Sequence, residues 1–170
     1  MIDRLLFALT LSSALGCGLM AGFFLAFSAC VMNALARLPT AQGIAAMQSI
    51  NVVVLNRLFF AVFFGTGATC VLDAGFALAM WREPDVAYLL VGSLLYLGGT
   101  ILVTIVFNVP LNEALAGVEP ESADGARLWT RYLTTWTAWN HVRASAALAA
   151  AVSLTIALIA RRAGHLAAAL

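Results

Sequence analysis

Four long apolar segments dominate this chain and constrain what it can fold into. They cover approximately residues 5–31, 58–80, 86–107 and 142–160. A helix needs roughly 20 apolar residues to cross the hydrocarbon core of a bilayer, and each segment is about that long or longer. Only 10% of the 170 residues are charged, against about 25% in a typical soluble domain. The sequence therefore predicts an all-α fold, a single integral membrane domain built as a four-helix transmembrane bundle.

The first apolar segment also has to be distinguished from a secretion signal. It exceeds the apolar core of such a signal, which is about 7–15 residues long, so we expect a retained helix. An even number of crossings places both termini on one side. The eight arginines outside the predicted spans divide equally between the sides, four and four, so the usual excess of positive charge on the cytoplasmic side gives no orientation. We expect cytoplasmic termini in a bacterial inner membrane, because the opposite side carries an acidic loop at 119–124 and Arg57 is a candidate site residue.

Small residues form a regular stripe on each of the first two predicted helices. Four-residue spacing keeps such residues on one helix face, and the members are Ala14, Gly18, Gly22, Ala26 and Cys30, then Ala61, Gly65 and Thr69. Small residues let helices approach closely in a membrane. We interpret both stripes as contacts inside the bundle, with homo-oligomer formation as the alternative. Asp73 continues the second stripe, and we expect a structural role for it, with Arg82 as one candidate partner.

The two longer connections between the predicted helices lie on the same side of the membrane. Residues 40–56 carry apolar side chains at three- and four-residue steps after Thr40, a residue suited to cap a helix. We predict an interfacial helix there. Residues 113–135 contain an acidic loop and then a short amphipathic helix at about 126–133. Both connections are expected to cover the end of the bundle at which the fourth helix begins.

A polar stripe on the third helix leads to the same end. Its members are four residues apart and share a face: Tyr96, Thr100, Thr104, Asn108 and Asn112. Pro110 lies between the two asparagines and removes a backbone hydrogen bond. Backbone freed at membrane depth is tolerated where protein or a polar cavity satisfies it. Residues 108–113 are therefore predicted to form the kinked wall of a pocket. The alternative is an ordinary helix end.

The stretch Trp136–Arg143 opens the fourth helix and concentrates polar groups near the membrane boundary. It contains Trp136, Trp139, Asn140, His141 and Arg143. Ionisable groups at that depth are expensive and are functional candidates by default. Trp136, Asn140 and Arg143 share a face, whereas His141 points about 100° away from Asn140. One cavity therefore reaches both His141 and Asn140 only if it lies between the two faces. The alternative is a membrane anchor, with the tryptophans at the headgroups and Arg143 reaching outward.

The first long connection adds further amide groups and a cation to this set. Asparagine offers donors and acceptors without a charge, which suits a cavity for a polar aromatic ligand. We predict His141, Arg143 and Asn140 as catalytic residues. The predicted substrate-binding residues are Asn51, Asn56, Arg57, Asn108, Asn112, Trp136 and Trp139.

The common metal and cofactor sites are not supported by the sequence. His141 and His165 are the only histidines, and one buried histidine without a carboxylate pair is a poor ligand set for zinc, iron or copper. No glycine-rich phosphate loop, nucleophile motif or nucleic-acid-binding pattern is present. We predict neither a metal nor an organic cofactor. Histidine exchanges protons near neutral pH, so His141 is the best acid–base candidate, and Arg143 suits a developing oxyanion.

Four runs of the sequence resemble the anthrone oxygenase-like family of membrane proteins. They are residues 18–24 (GLMAGFF), Asn51 together with 55–56, residues 107–112 (FNVPLN) and residues 136–143 (WTAWNHVR). The resemblance implies oxidation of an anthrone to an anthraquinone, with molecular oxygen as co-substrate and without metal or flavin. It covers nearly the whole chain.

The chemistry that this resemblance implies fits the polar residues of the chain. Loss of a proton from the anthrone methylene gives a delocalised anion that can itself pass an electron to oxygen. The protein then has to supply a base, an oxyanion stabiliser and a dry pocket. The resemblance implies His141 as the base, Arg143 with Asn140 as the stabiliser, and Asn108 and Asn112 as orienting donors.

Two other functions use the same features of the sequence. A binding or transport protein for a hydrophobic aromatic or quinone would show saturable binding without oxygen consumption. A structural partner of a membrane complex would use the small-residue stripes. The expected partners are the lipid bilayer, a small aromatic ligand and, through those stripes, further copies of the chain, but not nucleic acid.

Overall fold

The computed structural model of the protein describes residues 2–80 and 85–168, and the side chains of residues 4–80 and 85–164. Within these ranges every regular element is helical. Four helices are long and apolar enough to cross a membrane: Arg4–Leu35, Arg57–Ala79, Val86–Ala116 and Ala123–Gly164. The predicted all-α four-helix membrane bundle is confirmed. The turn that carries Arg82, the candidate partner of Asp73, lies outside the described residues.

Three of the four long helices are interrupted by π-helical turns. The first consists of α1 (Ile2–Ala26), a π-helical turn (Phe27–Val31) and α2 (Met32–Leu35), and α3 (Thr40–Val53) connects it to the second, α4 (Arg57–Ala79). The third consists of α5 (Val86–Leu94), two π-helical segments (Leu95–Leu102 and Thr104–Asn108) and α6 (Val109–Ala116). The fourth consists of α7 (Ala123–Arg131), a π-helical turn (Tyr132–Trp136) and α8 (Thr137–Ala168).

The third and fourth helices extend beyond the apolar segments of the sequence. The third helix does not end at Pro110 but continues to Ala116. A π-helical turn directly precedes the proline, and such turns are one way in which backbone groups freed by proline find new partners. The amphipathic segment expected before the fourth helix is continuous with it from Ala123. Polar residues interrupt both helices, which is why hydropathy alone predicts shorter ones.

The long helices form a closed ring in which each contacts two neighbours. α1 packs against α4 and α8, and α5 packs against the same two helices. The interior contains large apolar side chains, among them Leu6, Met20, Phe24, Phe63, Leu89 and Leu154. Two glycines allow α8 to approach closely. A β-carbon added at Gly92 would lie 2.7 Å from Leu154 Cγ, and one added at Gly99 would overlap with the Ala146 methyl group.

The small-residue stripes do not lie where the sequence suggested. Gly18, Gly22, Ala26 and Cys30 are exposed, and a β-carbon at Gly18, Gly22 or Gly65 would meet nothing within 4 Å. Their interpretation as contacts inside the bundle is therefore wrong, whereas Ala14 of the first stripe is buried in the interior. The close approaches use other glycines of the same bundle, namely Gly16, Gly67, Gly92 and Gly99. The alternative role of the stripes in a homo-oligomer stays a prediction.

Asp73 is fully buried and joins α4 to α1. It accepts hydrogen bonds from Thr10 Oγ1 at 3.0 Å and from Ser13 Oγ at 2.6 Å. A carboxyl group inside a membrane protein is expensive unless its oxygens are hydrogen-bonded. These contacts agree with the structural role expected for Asp73. In the same half of the bundle, Arg161 Nε forms an ion pair with Asp85 Oδ2 at 2.8 Å and links α8 to the start of α5.

The two longer connections meet over the opposite end of the bundle, as predicted. α3 packs against α6 and α7. A second apolar cluster holds this cap together, and its members are Met32, Leu35, Ile44, Met47, Leu115, Trp129, Tyr132 and Trp136. Gln48 Nε2 donates to the carbonyl groups of Leu115 and Val118 at 2.8 and 3.0 Å. The cap thereby binds backbone carbonyl groups at the end of the third helix and just beyond it.

The hydrogen bond from Ser13 to Asp73 predicts a stability difference between two adjacent serines. Ser13→Ala removes a partner of a buried carboxyl group and should lower the free energy of unfolding by about 1–3 kcal/mol. Ser12→Ala is the matched control, because exposed Ser12 bonds only to the carbonyl of Ala8 in its own helix. Unfolding of both variants in the same mild detergent measures the difference. Equal stabilities would show that the Ser13 contact contributes nothing.

Two adjacent glycines on the third helix offer a second comparison. Gly99→Ala places a methyl group against Ala146, and overpacking of this kind destabilises by about 1–3 kcal/mol. Gly98→Ala meets open space and should be neutral or stabilising, since alanine favours the helix by up to about 1 kcal/mol. Thermal unfolding in detergent should therefore rank Gly98→Ala above Gly99→Ala. The reverse order would contradict the described contact between the third and fourth helices.

Candidate functional site

Arg143 is a buried cation held between aromatic rings. Only 6% of the residue is exposed. Its guanidinium carbon lies over the Phe24 ring, 4.1 Å from the ring centre, and over Trp136 at 5.0 Å. The faces of aromatic rings attract cations, by about 2 kcal/mol or more where the cation is desolvated. The two rings therefore replace part of the hydration that Arg143 loses.

The polar contacts of Arg143 leave its charge uncompensated. Nε donates to Asn140 Oδ1 at 2.8 Å and Nη1 donates to Thr104 Oγ1 at 3.3 Å. In the part of the chain that the structure describes, no carboxylate forms an ion pair with Arg143. A guanidinium group has five N–H donors, and buried charges are normally paired. The arrangement is therefore suited to receive an anion.

Asn140 orients Arg143 and fixes α8 to the first helix. Its Nδ2 donates to the carbonyl oxygen of Phe24 at 2.7 Å and also to Ser28 Oγ. Its Oδ1 accepts the hydrogen bond from Arg143 Nε. Asn140 is completely buried. All three contacts together leave the amide one orientation, so Asn140 acts as a positioning residue for the guanidinium group.

Arg143 borders a small cavity at the capped end of the bundle, which we call the inner chamber. Its volume is about 70 Å³, and its polar lining consists of Asn51, Thr104, Asn112 and Arg143. The aromatic lining consists of Phe23, Phe24, Phe27, Phe59 and Trp136. Phe27, Thr104 and Trp136 each come from a different π-helical turn. Such turns are rare and occur frequently at functional sites.

Tyr132 connects two amide side chains of the inner chamber. Its hydroxyl group donates to Asn112 Oδ1 at 2.7 Å and accepts from Asn51 Nδ2 at 3.5 Å. The tyrosine ring stacks between Trp129 and Trp136, with ring centres 5.6 and 5.5 Å apart. Asn51 of α3 and Asn112 of α6 are thereby held together at the chamber. The sequence did not single out Tyr132.

Five of the predicted site residues come together in the structure. Asn51, Asn112, Trp136 and Arg143 line the inner chamber, and Asn140 orients Arg143. Asn108 is fully buried nearby, where its Nδ2 donates to the carbonyl of Trp136 at 3.2 Å, but it does not line the chamber.

Three other predicted substrate-binding residues lie away from the inner chamber. Asn56 caps α4, because its Oδ1 accepts from the backbone N–H of Phe59 at 3.0 Å. Arg57 is exposed and borders none of the three described cavities. Trp139 stacks on Phe107 with ring centres 3.6 Å apart. These contacts account for Asn56 and Trp139 without a ligand.

His141 lies in a different groove from Arg143. It is exposed and borders a cavity of about 270 Å³ together with Gly18, Gly22 and Ser145. None of the three cavities borders both His141 and Arg143. A single cavity between the two helix faces would have joined them. The structure instead places the contact between α1 and α8 there.

The phenylalanines of the aromatic lining were not predicted from the sequence, whereas Trp136 was. Phe23, Phe24, Phe27 and Phe59 belong to apolar segments, where phenylalanine usually packs in a core or faces lipid. Only their closeness to Asn51 and Arg143 in space distinguishes them, and no spacing in the sequence reports that. Thr104 was visible as a member of the polar stripe on the third helix.

A metal site requires several ligating side chains close together. Within residues 4–80 and 85–164, whose side chains the structure describes, no group of three or more histidine, cysteine, aspartate or glutamate side chains could hold a metal ion. The expectation that the site works without a cofactor stays a prediction.

Comparison with known proteins identifies the family of this chain. No curated protein and no solved structure matches it significantly. A family model described as Anthrone oxygenase matches residues 56–153, more than half of the chain. The matched region contains Thr104, Asn112, Trp136, Asn140 and Arg143. The chain therefore belongs to the anthrone oxygenase family.

Proposed function

We propose that this protein is a membrane-embedded oxygenase that forms a quinone from an anthrone-like or other polycyclic phenolic compound. Molecular oxygen is the co-substrate, and neither a metal nor an organic cofactor takes part. Arg143 carries the proposal, because it is a buried cation with aromatic walls and no acidic partner in the described ranges. This setting suits an aromatic compound with an oxyanion. Family membership supports the class of reaction.

The guanidinium group promotes the first step by stabilising the anion of the substrate. Loss of one methylene proton from an anthrone gives an anion whose charge resides largely on the carbonyl oxygen. A positive charge fixed beside that oxygen makes the bound compound more acidic. Preorganised donors act most strongly in a site from which water is excluded. Phe24, Phe27 and Trp136 line the chamber beside Arg143 and give it a largely apolar wall.

The remaining steps need only oxygen and the electrons of the substrate anion. The anion passes one electron to oxygen, and the resulting carbon radical and superoxide combine at the former methylene carbon. Uptake of a proton gives a hydroperoxide, which loses water to leave a carbonyl group. One anthrone and one O₂ thus give one anthraquinone and one H₂O. Atoms and electrons balance without a redox group in the protein.

Each polar residue of the inner chamber has a role in this scheme. Asn140 and Thr104 hold the guanidinium group in place through hydrogen bonds of 2.8 and 3.3 Å. Asn51 and Asn112, joined through Tyr132, present amide groups to the ligand. Asn140 is thus a positioning residue, and Arg143 is the residue that touches the oxyanion.

The position of His141 leads us to propose a different acceptor for the substrate proton from the one that the sequence suggested. His141 borders another groove and does not reach a ligand at Arg143. We therefore propose that the proton is released to solvent as the anion forms, and that His141 is dispensable for turnover.

Oxygen uptake by three variants tests these roles. Arg143→Ala should lower kcat with emodin anthrone by about 10²–10³-fold, the usual effect of removing a donor to an oxyanion. Arg143→Lys should also lose most of the activity, because an ammonium group cannot reproduce the planar fork that contacts Asn140 and Thr104. His141→Ala is the control and should retain most of the rate. The measurement uses purified protein in mild detergent after metal analysis and an optical spectrum.

Other outcomes would redirect the assignment. Full activity of Arg143→Ala would remove Arg143 from the reaction. Loss of activity in His141→Ala would restore His141 as the base and refute proton release to solvent. Stoichiometric metal or a chromophore in the active sample would contradict reaction without a cofactor. Saturable binding without oxygen uptake would favour a binding or transport protein that uses the same pocket.

A further inference from the structure

The inner chamber is too small for the compound that it is proposed to oxidise. Its volume is about 70 Å³, whereas an apolar cavity that holds one benzene ring measures about 150 Å³. Only the oxygen-bearing edge of a polycyclic aromatic fits beside Arg143. The remaining rings have to occupy space that adjoins the chamber.

A larger cavity, which we call the outer groove, adjoins the inner chamber. Its volume is about 370 Å³, which lies in the range of about 300–1,000 Å³ usual for small-molecule sites. Phe23, Val54 and Phe59 line both cavities. The two spaces therefore share these three residues as a common wall.

The outer groove opens on the outside of the bundle between α1 and α4. Leu19 and Leu58 line it and are 64% and 74% exposed. Exposed leucines on membrane-spanning helices face lipid. Asn56 also borders the groove, but its amide group donates to the carbonyl of Val53 at 3.1 Å and accepts from Phe59 N at 3.0 Å. The groove is therefore an apolar opening towards the bilayer.

Phe23 and Phe59 form the partition between the two cavities. Their ring centres are 5.6 Å apart at an angle of 50°, and both side chains are only partly buried. Phe59 also stacks almost parallel on Phe63, with ring centres 5.4 Å apart. Flat aromatic faces thus line the passage, and such faces stack favourably on a planar ligand.

We infer that the inner chamber and the outer groove form one binding site for a planar polycyclic aromatic compound that enters sideways from the bilayer and is held as its anion. The oxyanion lies at Arg143, the rings extend into the outer groove, and Phe23 and Phe59 separate to admit them. The chemistry of this ligand rests on the proposed function, whereas its placement rests on the shape of the cavities. A lipid chain suits this site less, because it would leave the cation at the inner end without a partner.

Ligand binding in nanodiscs tests this placement without depending on turnover. The probe is emodin, a hydroxylated anthraquinone that is already oxidised, and its dissociation constant is measured in the absence of oxygen. Phe59→Trp enlarges the partition and should weaken binding about tenfold or more. Phe60→Trp is the matched control and should bind like the wild type, because Phe60 borders neither cavity.

A second variant distinguishes an effect on binding from a loss of folding. It also tests whether the ligand enters from the bilayer. Phe59→Ala removes the partition and should speed association of emodin. Its association rate should also follow the concentration of emodin in the lipid when the lipid-to-protein ratio is changed.

Three results would overturn the inference. Equal affinities of wild type, Phe59→Trp and Phe60→Trp would exclude the outer groove and leave the proposed function standing. Association of Phe59→Ala at the wild-type rate, or at a rate set only by the aqueous concentration, would exclude entry from the bilayer. No binding of emodin to the wild type would contradict the ligand class, and with it both proposals.

Discussion

An arginine that is buried in a membrane protein and has no acidic partner among the described residues is the constraint on which this structure depends. Placing an arginine at the centre of a membrane helix costs about 2.5–3.5 kcal/mol even on scales that allow the side chain to relax. For Arg143, this cost is offset by the rings of Phe24 and Trp136 and by hydrogen bonds to Asn140 and Thr104. These partners belong to the first, third and fourth long helices. The charge can therefore be held only when the end of the bundle is assembled.

The two ends of the bundle use polar groups in opposite ways. At one end, Asp73 has its hydrogen bonds satisfied by Thr10 and Ser13, and Asp85 pairs with Arg161. These groups are saturated and join helices to one another. At the other end, the cap formed by α3 and α7 covers a cation that keeps donors free. Stability and ligand recognition are thereby separated along the length of the same four helices.

Much of this arrangement could be predicted from the sequence because it follows from hydropathy and helical spacing. The four spans, the convergence of both long connections and the grouping of Asn112, Trp136, Asn140 and Arg143 all come from periodicity. Periodicity states which face of a helix a residue occupies, but not which neighbour covers that face. For this reason Gly18 and Gly22 were assigned to the interior although they are exposed. His141 was grouped with Arg143 for the same reason, and the phenylalanines of the chamber could not be told from ordinary core residues.

Phe24 contributes to the site in two independent ways. Its ring attracts the guanidinium group of Arg143, and its backbone carbonyl accepts from Asn140, which orients that same group. A carbonyl is present whatever residue occupies position 24, so mutation there alters the strength of the attraction but preserves the acceptor of the orienting contact. Natural variation at this position can therefore change how strongly an anion is held while the geometry is inherited intact. The ring at position 24 can therefore vary in evolution, whereas the backbone contact that orients Arg143 is retained.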